Sequence, residues 1–277
     1  MRRLGQSGVL VPALGVGTNR WGSRSRPAVE LQGVFSASID AGAGLLDTAE
    51  IYQLGGSERA IGLCARRDAR PVQVVAKFAP YPHRVSARSF HRALEGALDR
   101  LGLEAVDLYL VHFPYSPRGI RWLMDRLAEA AHDGRARAVG VSNFSARQMR
   151  LAADRLDRHG VALAANEVQY SLFHRDPERN GVLEACRDLD VALIAYRPLA
   201  GGRARAEGSP LDRAVAGVAR ERGKTPAQIG LSWLLSRDPR VVAIPGATRV
   251  EHLRENLGAV GLTLSEDELA ALDRAQG

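Results

Sequence analysis

Residues 44–78 read GLLDTAEIYQLGGSERAIGLCARRDARPVQVVAKF. The stretch opens on a short apolar run, GLLDTA (44–49), and closes on another, VQVVAKF (72–78). Between them SERAIGLCARR (57–67) has helical period; Ser57 is a candidate cap for it, and Glu58 suits its first turn. Both runs are apolar at successive positions and rich in Val and Leu. That is the pattern of strands covered on both faces, as in a parallel sheet with helical crossovers.

The same unit recurs along the chain. Further runs are ALGVG (13–17), AVDLYLVH (105–112), ARAVGVSN (136–143), AANEVQY (164–170), VALIAYRP (191–198) and VVAIPGA (241–247), making eight. Helical segments follow most of them, among them SARSFHRALEGALDRLG and SARQMRLAADRLDRHG, both closed by glycine. Two more lie at 209–222 and 226–236, and SEDELAALDRA closes the chain. Eight strand–helix units in 277 residues predict an α/β fold, a single (β/α)8 TIM barrel spanning 1–277. An N-terminal β-hairpin, RRLGQSGVLVPALG, is expected to cover the barrel floor, and a C-terminal extra helix to close the chain. The Arg/Gly/Ser-rich 201–209 reads as a flexible loop. An open dinucleotide-binding sheet would carry GxGxxG at its first turn, whereas GVGTNRWG spaces Gly15, Gly17 and Gly22 differently.

Hydrophobic residues make up 45% of the chain, enough for a sizeable core. No apolar stretch approaches the roughly 20 residues of a membrane span, and the N-terminus lacks a signal-peptide centre. Two cysteines, Cys64 and Cys186, make no disulfide framework, so a cytoplasmic setting is expected. The net charge of +7 is scattered among acids, which speaks against nucleic acid. Of the 38 basic residues only Lys77 and Lys224 are lysine, and Lys77 sits among apolar neighbours.

Barrel chemistry sits where strands end. Asp47, Lys77 and His112 close three consecutive runs, and Tyr52 follows the first of them. An ammonium beside a phenol favours the phenolate and makes the phenol a stronger acid. A carboxylate on the next strand keeps that lysine charged. Asp47, Lys77 and Tyr52 are therefore expected to form a tuned general acid, with His112 to orient a substrate or share the proton.

These motifs resemble the aldo-keto reductase family along essentially the whole chain. GTNRWG is similar to the family's first-strand exit, which brings in Gly17 and Thr18, and DTAEIYQLGGSE to its DTAxxYG–(S)E motif, with Gln53-Leu54 inserted. AKF carries the lysine and VHFP the histidine; GRARAVGVSNF and IPGATRVEHLRENLGA match later signatures. The resemblance implies NADPH, with NADH possible, and hydride transfer to a small-molecule carbonyl substrate. By the same resemblance Ser142 and Asn143 hold the nicotinamide carboxamide and Tyr196 stacks on its ring. Pro198, Leu199 and Gly201 line the pyrophosphate. Gly246, Ala247, Thr248 and Arg249 surround the adenosine and 2′-phosphate with His252 and Asn256.

Three departures stand out: Glu167 where the family commonly has glutamine, Arg197 where serine is frequent, and Gly246 where some members carry lysine. Trp21, Tyr81, Phe113 and Tyr115 are candidate substrate-pocket walls, and the short C-terminal end implies an open site. A monomer or weak oligomer is expected. Two alternatives stay open: a regulatory or sensor protein that binds cofactor with little turnover, and a lyase using Lys77 as a Schiff-base nucleophile.

Overall fold

The computed structural model describes residues 1–23, 28–201 and 208–276. The middle of the loop expected at 201–209 lies outside the described residues. Eight parallel strands form one sheet: β3 (Val16–Gly17), β4 (Leu45–Asp47), β5 (Gln73–Phe78), β6 (Val106–Val111), β7 (Ala136–Ser142), β8 (Leu163–Gln169), β9 (Ala192–Tyr196) and β10 (Val241–Ile244). Each falls inside one of the eight apolar runs except β8, which begins one residue before AANEVQY (164–170). Parallel bridges Leu14–Ala243 and Gly17–Gly246 join the first strand region to the last and close the barrel.

The helices between strands are α1 (Ala28–Asp40), α2 (Gly56–Arg67), α3 (Ala87–Leu101), α4 (Gly119–His132) and α5 (Ala146–Asp157). After β9 come α8 (Pro210–Arg222) and α9 (Pro226–Ser236); after β10 come α10 (Val250–Leu257) and α11 (Glu266–Gln276). Ser86 and Ser145 cap α3 and α5 through capping boxes. Ser57 does not cap α2. That helix starts at Gly56 behind Gly55, and the Ser57 hydroxyl is buried between Thr18 and Thr48. Two helices, α6 (Asp176–Arg179) and α7 (Val182–Asp188), have no counterpart in the periodicity. They are too short for it, and left-handed Gly181 (φ 80°) interrupts them.

The hairpin is present as β1 (Arg2–Arg3) paired with β2 (Leu10–Val11). Leu4 and Val11 join the core inside the barrel, with Leu45, Val75, Leu108, Ile194 and Val242 from the strands. A larger apolar shell lies between strands and helices. Successive strand residues alternate between these two cores. The inward series therefore continues two residues above each core position: Leu45 to Asp47, Val75 to Lys77, Leu110 to His112, and Ile194 to Tyr196.

One break in the alternation matters. Between β7 and β8 the register shifts from Val139–Leu163 to Val141–Asn166, so that Ala164 and Ala165 both enter the inner core. Beyond this bulge Ser142 pairs with Glu167.

Candidate active site

Lys77 is fully buried near the top of β5. Its Nζ donates to Asp47 Oδ2 at 2.5 Å and to the Thr48 carbonyl at 3.0 Å. Glu167 Oε2 lies 3.3 Å away on the other acid of the site, and Nζ is 5.2 Å from the centre of the Tyr52 ring. The Tyr52 ring meets His112 edge-on at 5.9 Å, and His112 stacks on Phe113 at 4.5 Å. Strands β4, β5 and β6 thus bring Asp47, Tyr52, Lys77 and His112 to one end of the barrel.

Burial works against the Lys77 ammonium, but Asp47 and then Glu167 outweigh it and raise its pKa. For Tyr52 the outcome differs from the sequence-based expectation. Burial pushes the phenol well above the ordinary tyrosine value; the charge of Lys77 pulls it down, while Asp47 and Glu167 push it up again. The resting phenol is a weaker acid, because desolvation, the largest cause, outweighs the one ammonium. Burial, and then Lys77, pull His112 down to about 3, so its imidazole is neutral.

A cavity of about 830 Å³ opens over these groups. Its lining includes Asp47, Tyr52, His112 and Phe113, and runs past Ser142, Asn143, Glu167 and Tyr196 to Arg197, Pro198, Leu199 and Gly201. It continues along Gly17 and Thr18 to Gly246, Ala247, Thr248, Arg249, His252 and Asn256. All the residues expected around a cofactor therefore line this one cavity. The structure adds Asn19, Arg20, Ile244 and Pro245 to that lining. Asn19 and Arg20 directly follow Thr18, within the GTNRWG stretch, and that adjacency was the available signal.

The wall is held from behind. Thr18 Oγ1 donates to the Asp47 carbonyl, and Ser57 Oγ donates to the Thr18 carbonyl. Ser142 Oγ donates to the Glu167 carbonyl, and Tyr196 donates to Asn143 Oδ1. Asn143 adopts φ 63° and donates through Nδ2 to the His112 carbonyl. A Cβ at Gly17 would stand 2.8 Å from the Ile244 carbonyl oxygen, so the first strand exit must be bare backbone.

The aromatic walls divide. Phe113 faces the cavity. Trp21 is fully buried, with Nε1 donating to the Ala247 carbonyl, and braces the exits of β3 and β10 from outside the lining. Tyr81 stacks on His83 and Arg84, and Tyr115 is 73% exposed; neither is among the lining residues.

A cavity of this size lies within the range of small-molecule and cofactor sites, about 300–1,000 Å³. It offers buried polar atoms without hydrogen-bond partners, His112 Nδ1 and Glu167 Oε2. It also has the N-terminus of α10 at Val250, whose first amides suit a phosphate, with Arg249 alongside. These features fit a phosphorylated, amide-bearing cofactor.

Comparison with known proteins agrees. The model described as the aldo/keto reductase family matches residues 13–276. The chain is 31% identical over 289 residues to the chloroplastic pyridoxal reductase of Arabidopsis thaliana, covering 92% of this chain and 79% of that protein. Among solved structures, an aldo-keto reductase from Klebsiella pneumoniae in complex with NADP and acetate superposes with a TM-score of 0.88 at 32% identity, covering 99% and 95% of the two chains. The thermostable aldo-keto reductase Tm1743, bound to the inhibitor epalrestat, has a TM-score of 0.88 at 37% identity, covering 99% and 98%.

Proposed function

The chain belongs to the aldo/keto reductase family, and from that premise we propose that it reduces aldehydes and ketones to alcohols with NADPH. The observation that carries this reading is the buried Asp47–Lys77 pair beside Tyr52 and His112, beneath a cavity that fits a dinucleotide. The NADP and NADPH complexes of the Klebsiella pneumoniae relatives support the choice of cofactor.

Ser142 and Asn143, with Glu167, would hold the nicotinamide carboxamide, and Tyr196 the ring. Pro198, Leu199 and Gly201 would line the pyrophosphate. Gly246 to Arg249, His252 and Asn256 would receive the adenosine and its 2′-phosphate, which a guanidinium binds well. When bound, NADPH supplies the hydride that reduces the carbonyl carbon.

The protein's part is orientation and a proton. Tyr52 donates its hydroxyl proton to the substrate oxygen. A phenol held above its ordinary pKa can still do so, because an oxygen that has become an alkoxide is a far stronger base than a phenolate. Lys77 stabilises the phenolate left behind, and Asp47 keeps Lys77 charged. Neutral His112 donates one N–H and accepts at the other nitrogen, so it can aim the carbonyl but not act as an imidazolium acid. That neighbouring carboxylate also speaks against a Schiff-base role, which needs a neutral amine.

Among the described residues no helix is long and apolar enough to cross a membrane. Cys64 and Cys186 are buried and unpaired, which supports a reducing, cytoplasmic setting. We take 1–277 to act as one barrel domain, as a monomer or weak oligomer. The test is NADPH consumption against a panel of aromatic aldehydes, dicarbonyls and simple ketones, after fluorescence titration has established cofactor binding. Turnover of reactive carbonyls is expected. Tight NADPH binding with no turnover of any panel member would favour the sensor reading instead.

A further inference from the structure

The site holds one acid more than a Tyr–Lys–Asp arrangement needs. Asp47 and Glu167 are 2% and 1% exposed, and both face the single ammonium of Lys77, at 2.5 Å and 3.3 Å. Asp47 and the Thr48 carbonyl accept two of its three protons. Glu167 Oε2 is close enough for an ion pair but is not aligned for a hydrogen bond, and has no such partner.

The other titratable groups around this pair add no positive charge. Tyr52 and Tyr196 are phenols raised first of all by burial. His112 is neutral. Arg197, next to Tyr196, is exposed to solvent, where its charge is screened. With both acids ionised the cluster would carry an uncompensated negative charge away from water. Taking up a proton costs less than burying such a charge.

We propose that Asp47 and Glu167 hold one proton between them in the resting site, carried on Glu167, and that this proton resupplies Tyr52 through Lys77 during turnover. Asp47 has the closer contact with the ammonium, so the proton falls to Glu167. Burial, and then Asp47, push the Glu167 carboxyl well above the usual range. A protonated glutamate has an O–H donor and a carbonyl acceptor, so it regains the donor that exchange of glutamine for an ionised glutamate would remove.

The relay balances. Tyr52 gives its proton to the substrate oxygen and becomes a phenolate. Lys77 gives a proton to that phenolate and takes one from Glu167. Tyr52 is again a phenol, Lys77 an ammonium, and Glu167 a carboxylate that recovers its proton from solvent through the cavity it lines. Glu167 acts through Lys77, which makes it a positioning residue. The bulge between β7 and β8 is what turns it toward the lysine.

The relay rests on the reductase reading, but the resting proton does not, so the two are tested separately. Infrared difference spectra of the cofactor-free protein at neutral pH compare wild type with E167Q and with D47N. A buried carboxylic-acid carbonyl band, shifted by deuterium exchange, is expected in wild type. Both variants should lose it, because each leaves one acid facing one ammonium. Absence of the band in wild type, or its survival in E167Q, overturns the shared proton; should E167Q fail to fold by circular dichroism, its survival in D47N does the same. In turnover, E167Q removes the carboxylate that raises Tyr52 at high pH. Its alkaline loss of reductase activity should therefore begin at lower pH than in wild type, with the neutral-pH rate reduced about tenfold or less. An unchanged alkaline limb overturns the relay.

Discussion

Lys77 Nζ and Asp47 Oδ2 stand 2.5 Å apart, and both side chains are buried. Removing the lysine leaves Asp47 and Glu167 facing each other. K77M should lose at least about 10²-fold in carbonyl reduction. Breaking a buried pair should also cost roughly 3–5 kcal/mol, read from urea unfolding at neutral pH. The cost should shrink toward acid pH, where protonation neutralises the stranded carboxylates. In wild type the raised Lys77 pKa gives the opposite limb: its contribution is whole below the unfolded lysine value of about 10.4 and is lost as pH climbs through the folded one.

The Tyr52 ring has Lys77 Nζ 5.2 Å from its centre and the His112 ring 5.9 Å away. Y52F should lower kcat for carbonyl reduction by about 10²–10⁴-fold, while NADPH binding measured by fluorescence stays within a few-fold. Equal turnover by Y52F would remove the tyrosine from its assigned role.

His112 should not titrate during catalysis. With its pKa at about 3, kcat/KM should show no imidazole limb between about pH 5 and 8. Stability carries the sign instead. The unfolded chain takes up a proton near 6.5 and the folded site only near 3, so this contribution is whole above 6.5 and drains away as pH falls toward 3. H112N should flatten that part of the acid limb in denaturant titrations.

Arg249 stands at the entrance to α10 with no side-chain capping bond of its own. R249A should weaken NADPH binding about 10-fold or more, as loss of a charge-assisted hydrogen bond does, and leave NADH nearly unaffected. Titrating both cofactors against both proteins measures the difference; equal weakening would place the 2′-phosphate elsewhere.

Gly140 has no room for a side chain. A Cβ there would stand 2.5 Å from the Ala165 carbonyl oxygen and 2.7 Å from Leu110 Cδ2, beside the bulge. G140A should destabilise the fold by about 1–3 kcal/mol and, by disturbing the bulge, loosen Glu167. Thermal unfolding and the infrared band together check both effects.

The barrel and much of its mouth were legible in the chain itself. Runs such as VQVVAKF and AVDLYLVH carry their own period, and side-chain alternation along a strand is local geometry, so Asp47, Lys77 and His112 could be placed at strand ends before any packing was known. Lys77, one of only two lysines and the one set among apolar neighbours, pointed the same way. The aromatic walls were not legible: Trp21 and Phe113 both lie near strand exits, yet one is buried behind the wall and the other faces the cavity.

What the tertiary structure alone decided is electrostatic and positional. Glu167 faces Lys77 only because an extra residue is accommodated between β7 and β8, and no local pattern in AANEVQY announces that shift. The direction of the Tyr52 shift also reversed in the folded site. A phenol beside an ammonium reads as acidified while only its charged neighbour is counted; exclusion of water by the closed barrel, the largest cause, turns the balance. Periodicity belongs to consecutive residues, whereas desolvation and charge pairing depend on which distant residues the closed barrel brings within a few ångströms.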